Sequence, residues 1–248
     1  MNVLELIKTR KDSGKKTLAL LIDPDKYREE DFLQLKNLAC FEAVDILLVG
    51  GSLIVGAYFS QTVQSLKLHC PGLPLVIFPG SNMHLDASAD GILFLSLISG
   101  RNPDLLIGQH VVVAPILKKS QLEILPTGYM LIEGGKQTTV SYISNTTPIP
   151  ADKPEIAACT AMAGEMLGLQ MIYADAGSGA QVPITSKMVQ FIRRAIQVPL
   201  WIGGGIRTPQ KALELYKAGA DVLVLGNIGE ENRVTLEAIL AQKKKLVE

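Results

Sequence analysis

Two neighbouring apolar runs near the C-terminus both stop at glycine. Val198–Ile202 runs into Gly203-Gly204-Gly205-Ile206-Arg207-Thr208, and Asp221–Leu225 runs into Gly226-Asn227. A helical pattern from Thr208 to Ala218 joins them. Glycine turns leave backbone N–H groups open to an anion, and a following helix N-terminus adds unpaired donors and partial positive charge. Two such turns on the last two strands of a (β/α)8 barrel form the usual phosphate site of that fold.

The rest of the chain keeps the same rhythm. Strands are expected at Thr17–Asp23, Val44–Gly50, Leu75–Phe78, Gly91–Leu97, Gly128–Glu133 and Gln170–Ala174, with helices at Met1–Arg10, Glu30–Ala39, Leu53–Leu68, Lys153–Leu167 and Ser186–Ile196. His110–Leu117 also reads as a strand, and Thr138–Pro150 reads as a long loop. The strands are continuous apolar runs, as in a parallel sheet covered on both faces. The length of 248 residues suits one barrel domain spanning 1–248. One unit is irregular. Only Asn82–Asp90 separates the third strand from the fourth, too little for a crossover helix, so the third helix is expected to be reduced or missing and to leave a groove.

Composition narrows the function classes. A net charge of zero argues against a general nucleic-acid surface and leaves phosphate binding to local geometry. Cys40, Cys70 and Cys159 are far apart and read as buried thiols of a reducing cytoplasm. His69, His84 and His110 lack ligand spacing and read as surface or packing residues. No signal peptide or membrane span is evident. Lys243-Lys244-Lys245 reads as a solvated helix end.

Loops after strand ends share one face of such a barrel, where active sites lie. They bring forward Asp23, Asp25, Ser52, Ser81, Glu133, Tyr173, Asp175, Ser178 and the glycines. Asp23 and Ser52 end adjacent strands and offer hard oxygens suited to Mg²⁺; the alternative is that both merely cap turns, which Asp-Pro-Asp alone favours, and only in register with a phosphate site do the two readings become about equal. In Tyr173-Ala174-Asp175-Ala176-Gly177-Ser178-Gly179, the Gly-Ser-Gly turn offers donors to an oxyanion, Asp175 can accept from a substrate alcohol, and Tyr173 can donate to a phosphate. Glu133 could join the site or pair with a surface lysine, and a structural or supporting role is favoured.

Together Leu21-Ile22-Asp23-Pro24-Asp25-Lys26, Val49-Gly50-Gly51-Ser52, Ile77-Phe78-Pro79-Gly80-Ser81, Ser144-Asn145-Thr146, Tyr173-x-x-Ala176-Gly177-Ser178-Gly179 and Gly203-Gly204-Gly205-Ile206-Arg207 resemble the geranylgeranylglyceryl phosphate synthases. The resemblance runs nearly end to end, and Phe94–Pro103 is similar to the branch with Bacteroidetes-type and many archaeal members. It implies a TIM barrel with a modified third unit. It also implies Mg²⁺-dependent transfer of a prenyl group, with geranylgeranyl the expected one, from a polyprenyl diphosphate to the 3-hydroxyl of sn-glycerol 1-phosphate. By position, Asp23 and Ser52 become metal residues. Tyr173, Ala174, Asp175, Ala176, Gly177, Ser178, Gly179, Gly204, Gly205, Gly226 and Asn227 surround glycerol phosphate, with Asp175 and Tyr173 catalytic. The family usually carries glutamate where this chain has Asp175. A cytoplasmic homo-oligomer, with transient contact to a membrane surface, is the expectation by analogy. Rival readings are another phosphate-binding barrel enzyme, such as a sugar-phosphate isomerase, and a non-catalytic phospholigand-binding protein.

Overall fold

The computed structural model describes residues 2–226 and 232–245. Its strands are β1 Thr17–Ile22, β2 Ile46–Gly50, β3 Leu75–Phe78, β4 Gly91–Leu97, β5 Glu123–Leu131, β6 Met171–Asp175, β7 Leu200–Gly203 and β8 Val222–Leu225. They close in chain order into an eight-stranded barrel in which every pairing is parallel. Helices α1 Val3–Asp12, α2 Glu29–Lys36, α3 Phe59–His69, α4 Gln109–Leu117, α5 Thr139–Ile143, α6 Pro154–Met166, α7 Ser186–Ala195, α8 Pro209–Ala218 and α9 Arg233–Lys244 accompany it.

Period-two alternation divides the core. Inward residues such as Leu48, Leu93, Tyr129, Tyr173 and Trp201 fill the lumen, while outward residues such as Leu47, Ile77, Ile172 and Ala174 meet the helices. Helix α1 does not join the outer ring. Its Val3 and Ile7 pack with the lumen residues, and the N–H groups of Val3 and Leu4 donate to the Glu123 carboxylate at 2.5 and 2.9 Å. An acid at a helix N-terminus satisfies otherwise orphaned donors, so α1 plugs one end of the barrel.

The third helix is absent: residues 79–90 form only turns. Asp90 fixes the short connection by accepting from Leu75 N–H at 2.7 Å and Lys67 Nζ at 2.8 Å. His84 stacks on Phe59 with ring centroids 5.3 Å apart.

Several sequence expectations need correction. The fifth strand starts earlier, at Glu123, because that residue serves α1, and it stops at Leu131 rather than Glu133. His110–Leu117 is helix α4, not a strand. Its valine run imitates a strand, but His110, Val113 and Leu117 face inward at helical spacing while Val111, Val112 and Ile116 are exposed. The expected loop 138–150 contains α5, started by a reciprocal Thr138–Ser141 capping box. The helix expected from Leu53 begins only at Phe59, because Asp25 clamps the N–H groups of Val55 and Gly56 at 2.7 and 2.8 Å. Cys159 is exposed rather than buried. Lys243 is not solvated: its side chain is 4% exposed, paired with Asp45 and donating to the Ala43 carbonyl. Asp45 also binds Arg10 at 3.0 Å, so a buried charge is matched rather than stranded.

Candidate active site

At the open end of the barrel, opposite α1, two clefts meet. The first holds about 470 Å³ and is the more polar of the two. Asp23 and Lys26 reach it from the loop after β1, Tyr173, Asp175 and Gly177–Gly179 from β6, Gly204–Arg207 from the loop after β7, and Gly226 from β8; Asn232 and Thr235 line it at the start of α9. The second, about 330 Å³, lies beside the short third unit and is lined largely by apolar groups. Leu85 belongs to that connection, Phe94 to β4, His110 and Val113 to α4, and Tyr129 to β5. Val140 and Ile143 of α5 add a further wall. Gly51, Ser52 and Phe78 line both clefts. The seam between them therefore sits at the ends of β2 and β3.

The polar cleft is built from backbone. Gly204 has φ +81°, and a Cβ there would lie 2.8 Å from Asp175 Oδ1 and from the N–H nitrogens of Ala176 and Gly177. Glycine lets the loop after β7 lie directly on the loop after β6. Asp23 Oδ1 accepts from Asp25 N–H at 3.1 Å, while Oδ2 lies 3.5 Å from Lys26 Nζ. Since Asp25 clamps the loop after β2, it holds the Asp23 and Ser52 segments together. No cluster of three or more His, Cys, Asp or Glu able to hold a metal occurs among the described residues. One carboxylate with a nearby hydroxyl nevertheless fits a hard cation that draws its remaining oxygens from water and substrate phosphate.

Asp175 is 6% exposed. Burial raises its pKa above the usual carboxylate value, opposed by a hydrogen bond from Tyr129 and another from the Gly177 N–H. The Tyr129 hydroxyl donates to Oδ2 at 2.6 Å, and Gly177 N–H donates to Oδ1 at 2.9 Å. Burial and the neighbouring Asp175 push the Tyr173 phenol well above its ordinary value, so it stays protonated. In the apolar cleft, burial lowers the His110 pKa and keeps its ring neutral, packed edge-on against Phe94 with centroids 4.2 Å apart.

The structure thus gathers Asp23, Ser52, Tyr173, Asp175, Gly177, Ser178, Gly179, Gly204, Gly205 and Gly226 around one cleft. Ala174 and Ala176 instead pack in the outer core, because alternate strand residues face opposite ways, and the Ala176 N–H is already bonded to the Gly203 carbonyl. Asn227 lies outside the described residues. Glu133 is exposed and lines neither cleft. Sequence reasoning passed over Tyr129, Lys26 and Arg207. Lys26 and Arg207 stood inside quoted motifs, one residue beyond a strand-end cluster and two beyond a glycine turn. Their charge was the available signal. Tyr129 carried no local signal, since aromatic residues are common in strands.

The sequence profile of the PcrB family matches residues 11–243. A geranylgeranylglyceryl phosphate synthase of Spirosoma linguale is 51% identical over 92% of this chain and 92% of its own length. One from Pyrococcus abyssi is 38% identical over 96% of this chain and 92% of its own. The crystal structure of (S)-3-O-geranylgeranylglyceryl phosphate synthase from Thermoplasma acidophilum, in complex with its substrate sn-glycerol-1-phosphate, superposes with a TM-score of 0.90 at 29% identity and covers 99% of each chain. Barrel, clefts and sequence agree, and the chain belongs to the PcrB family, that of the geranylgeranylglyceryl phosphate synthases.

Proposed function

We propose that this protein transfers a prenyl group from a polyprenyl diphosphate to the 3-hydroxyl of sn-glycerol 1-phosphate. The observation that carries this reading is the meeting of an apolar and a polar cleft at Gly51, Ser52 and Phe78. A donor with a long hydrocarbon tail and a charged head needs both environments and a seam between them. The Spirosoma linguale and Pyrococcus abyssi relatives, named as synthases of this type, support the same assignment.

In this reading the tail lies along Leu85, Phe94 and Val113, and the diphosphate lies at the seam near Ser52, Asp23 and Lys26. Glycerol phosphate occupies the polar cleft. Its phosphate rests on the turns at Gly204-Gly205 and Gly226, with Arg207 adding charge and Tyr173 lining the floor. The carbon–oxygen bond to diphosphate breaks, and diphosphate leaves with the bonding pair. The 3-hydroxyl oxygen forms the new ether bond, and its proton passes to the Asp175 carboxylate. Holding both reactants in register replaces a bimolecular encounter with a positioned one. Asp23 and Ser52 would hold Mg²⁺, which supplies neutralisation of the departing diphosphate's charge. Lys26 contributes charge on the same side.

The test is direct. Purified protein with Mg²⁺ is supplied with sn-glycerol 1-phosphate and prenyl diphosphates of graded length, and the ether product is identified by mass spectrometry. Product with sn-glycerol 1-phosphate and much less with its mirror-image phosphate is expected. Absence of product with every donor overturns the reading.

A further inference from the structure

We infer that Tyr129 is the positioning residue of this site: its hydroxyl, at the boundary between the apolar and the polar cleft, holds the Asp175 carboxylate in the orientation and charge state that the acceptor alcohol meets. This inference rests on the prenyl-transfer reading above for its kinetic consequence, and on the structure alone for its geometry.

Three observations support it. First, the bond is short and buried: Tyr129 OH lies 2.6 Å from Asp175 Oδ2, and the two residues are 4% and 6% exposed. Second, the donor is locked. The Tyr129 ring meets Tyr173 edge-on at 5.3 Å and Phe78 edge-on at 6.0 Å, so its hydroxyl has one place to point. Third, the residue straddles the site. Tyr129 lines the apolar cleft, Asp175 lines the polar one, and Phe78 borders both.

The chemistry fixes the direction of the hydrogen bond. Burial and the charge of Asp175 drive the Tyr129 phenol well above its ordinary pKa, so at neutral pH it is a donor and not a base. With Tyr129 on Oδ2 and Gly177 N–H on Oδ1, each oxygen keeps acceptor capacity for a substrate hydroxyl, and both bonds favour the ionised carboxylate against burial. Tyr129 therefore acts through Asp175. Among the described residues, the other ionisable groups lining its cleft are Tyr173 on its own strand, Asp23 and Lys26 after β1, and Arg207 after β7.

The test is Tyr129→Phe, which keeps the ring contacts and removes only the donor. Loss of a bond to the charged form raises the Asp175 pKa, so the acidic limb of kcat/KM should move to higher pH. At pH 7, kcat should fall by roughly tenfold or more, the scale of one transition-state hydrogen bond. KM for glycerol phosphate should change far less. The second readout needs no activity: the carboxyl ¹³C resonance of Asp175 in ligand-free protein should titrate at higher pH in Tyr129→Phe than in wild type. A ring that merely fills space moves neither quantity. An unshifted acidic limb together with an unshifted Asp175 titration overturns the inference. A titration that shifts in Tyr129→Phe, together with a wild type that makes no ether product, sustains the Tyr129–Asp175 coupling and overturns the prenyl-transfer reading instead.

Discussion

Oδ2 of Asp175 receives its hydrogen bond from Tyr129, one strand away, while Oδ1 receives its own from Gly177, two residues further along the chain. The carboxylate is thus fixed by two segments of different kind, one a barrel strand and one a glycine turn. Everything expected of the acceptor site depends on that double hold.

Asp175→Ala removes the carboxylate and leaves the Tyr129 hydroxyl buried without its partner. Turnover with glycerol phosphate should fall roughly a hundredfold, equivalent to about 3 kcal/mol of transition-state stabilisation. Binding of a prenyl diphosphate in the presence of Mg²⁺, followed by calorimetry, should be nearly unchanged. Equal kcat/KM in the variant and wild type would remove Asp175 from the mechanism. In Asp175→Glu the added methylene must displace a carboxylate whose two oxygens are already bonded to Tyr129 and Gly177. Melting temperature should drop while substantial activity remains.

The raised Asp175 pKa also sets a stability trend. Burial lifts the folded value above the unfolded one, so the folded state binds the extra proton. That contribution is fully present below the unfolded pKa and is lost as pH rises through the folded one. Denaturant titrations of wild type and Asp175→Ala across the weakly acidic range should show the wild type losing this advantage as pH climbs. A parallel pH dependence of the two proteins would contradict the assignment.

Gly226 offers a steric probe of the polar cleft. A Cβ there would sit 3.7 Å from Leu21 Cδ2, ordinary contact distance, and the residue lines the cleft. Gly226→Ala should raise KM for glycerol phosphate roughly tenfold through about 1.4 kcal/mol of lost binding, with kcat and melting temperature little altered. Gly204→Ala is the contrast. Its left-handed backbone and crowded Cβ position should cost stability before affinity can be read.

Asp23→Asn preserves shape and removes one negative charge beside Lys26. A fall in turnover of roughly a hundredfold is expected, and the remaining rate should respond weakly to Mg²⁺. Full activity of the variant, or of wild type in excess chelator, would exclude Asp23 as a metal residue.

Far from the clefts, Lys243→Ala tests the ion group formed with Asp45 and Arg10. Breaking a buried pair costs about 3–5 kcal/mol, and Arg10 remains to hold Asp45, so the lower end is expected. Melting temperature should fall by about 5–10 °C with kcat unchanged. A fall in kcat at unchanged stability would contradict this placement.

The sequence made the strands legible where a largely apolar run stands between turn residues, as at Leu75–Phe78 and Gly91–Leu97. It misled where a residue answers to a distant partner. Glu123 opens β5 because α1 needs its carboxylate, and nothing local announces that. The Val111-Val112-Val113 run has strand propensity, but only its third member is buried, and tertiary packing makes it helical. Among site residues, Asp175 and the glycines stood at strand ends where chemistry is expected. Tyr129 lies inside a strand, and its role comes from a partner 46 positions away.

The missing third helix makes the apolar cleft a slot along the barrel flank rather than a tunnel through it. A hydrocarbon chain can be laid in sideways, with no need to be threaded from one end. Lengthening the donor by isoprene units changes how much of the slot is filled, but leaves the distance between its reactive carbon and Asp175 as it was. Discrimination among donors should therefore be written in residence time on the protein, and the bond-forming rate of donors once seated should be nearly common to the series.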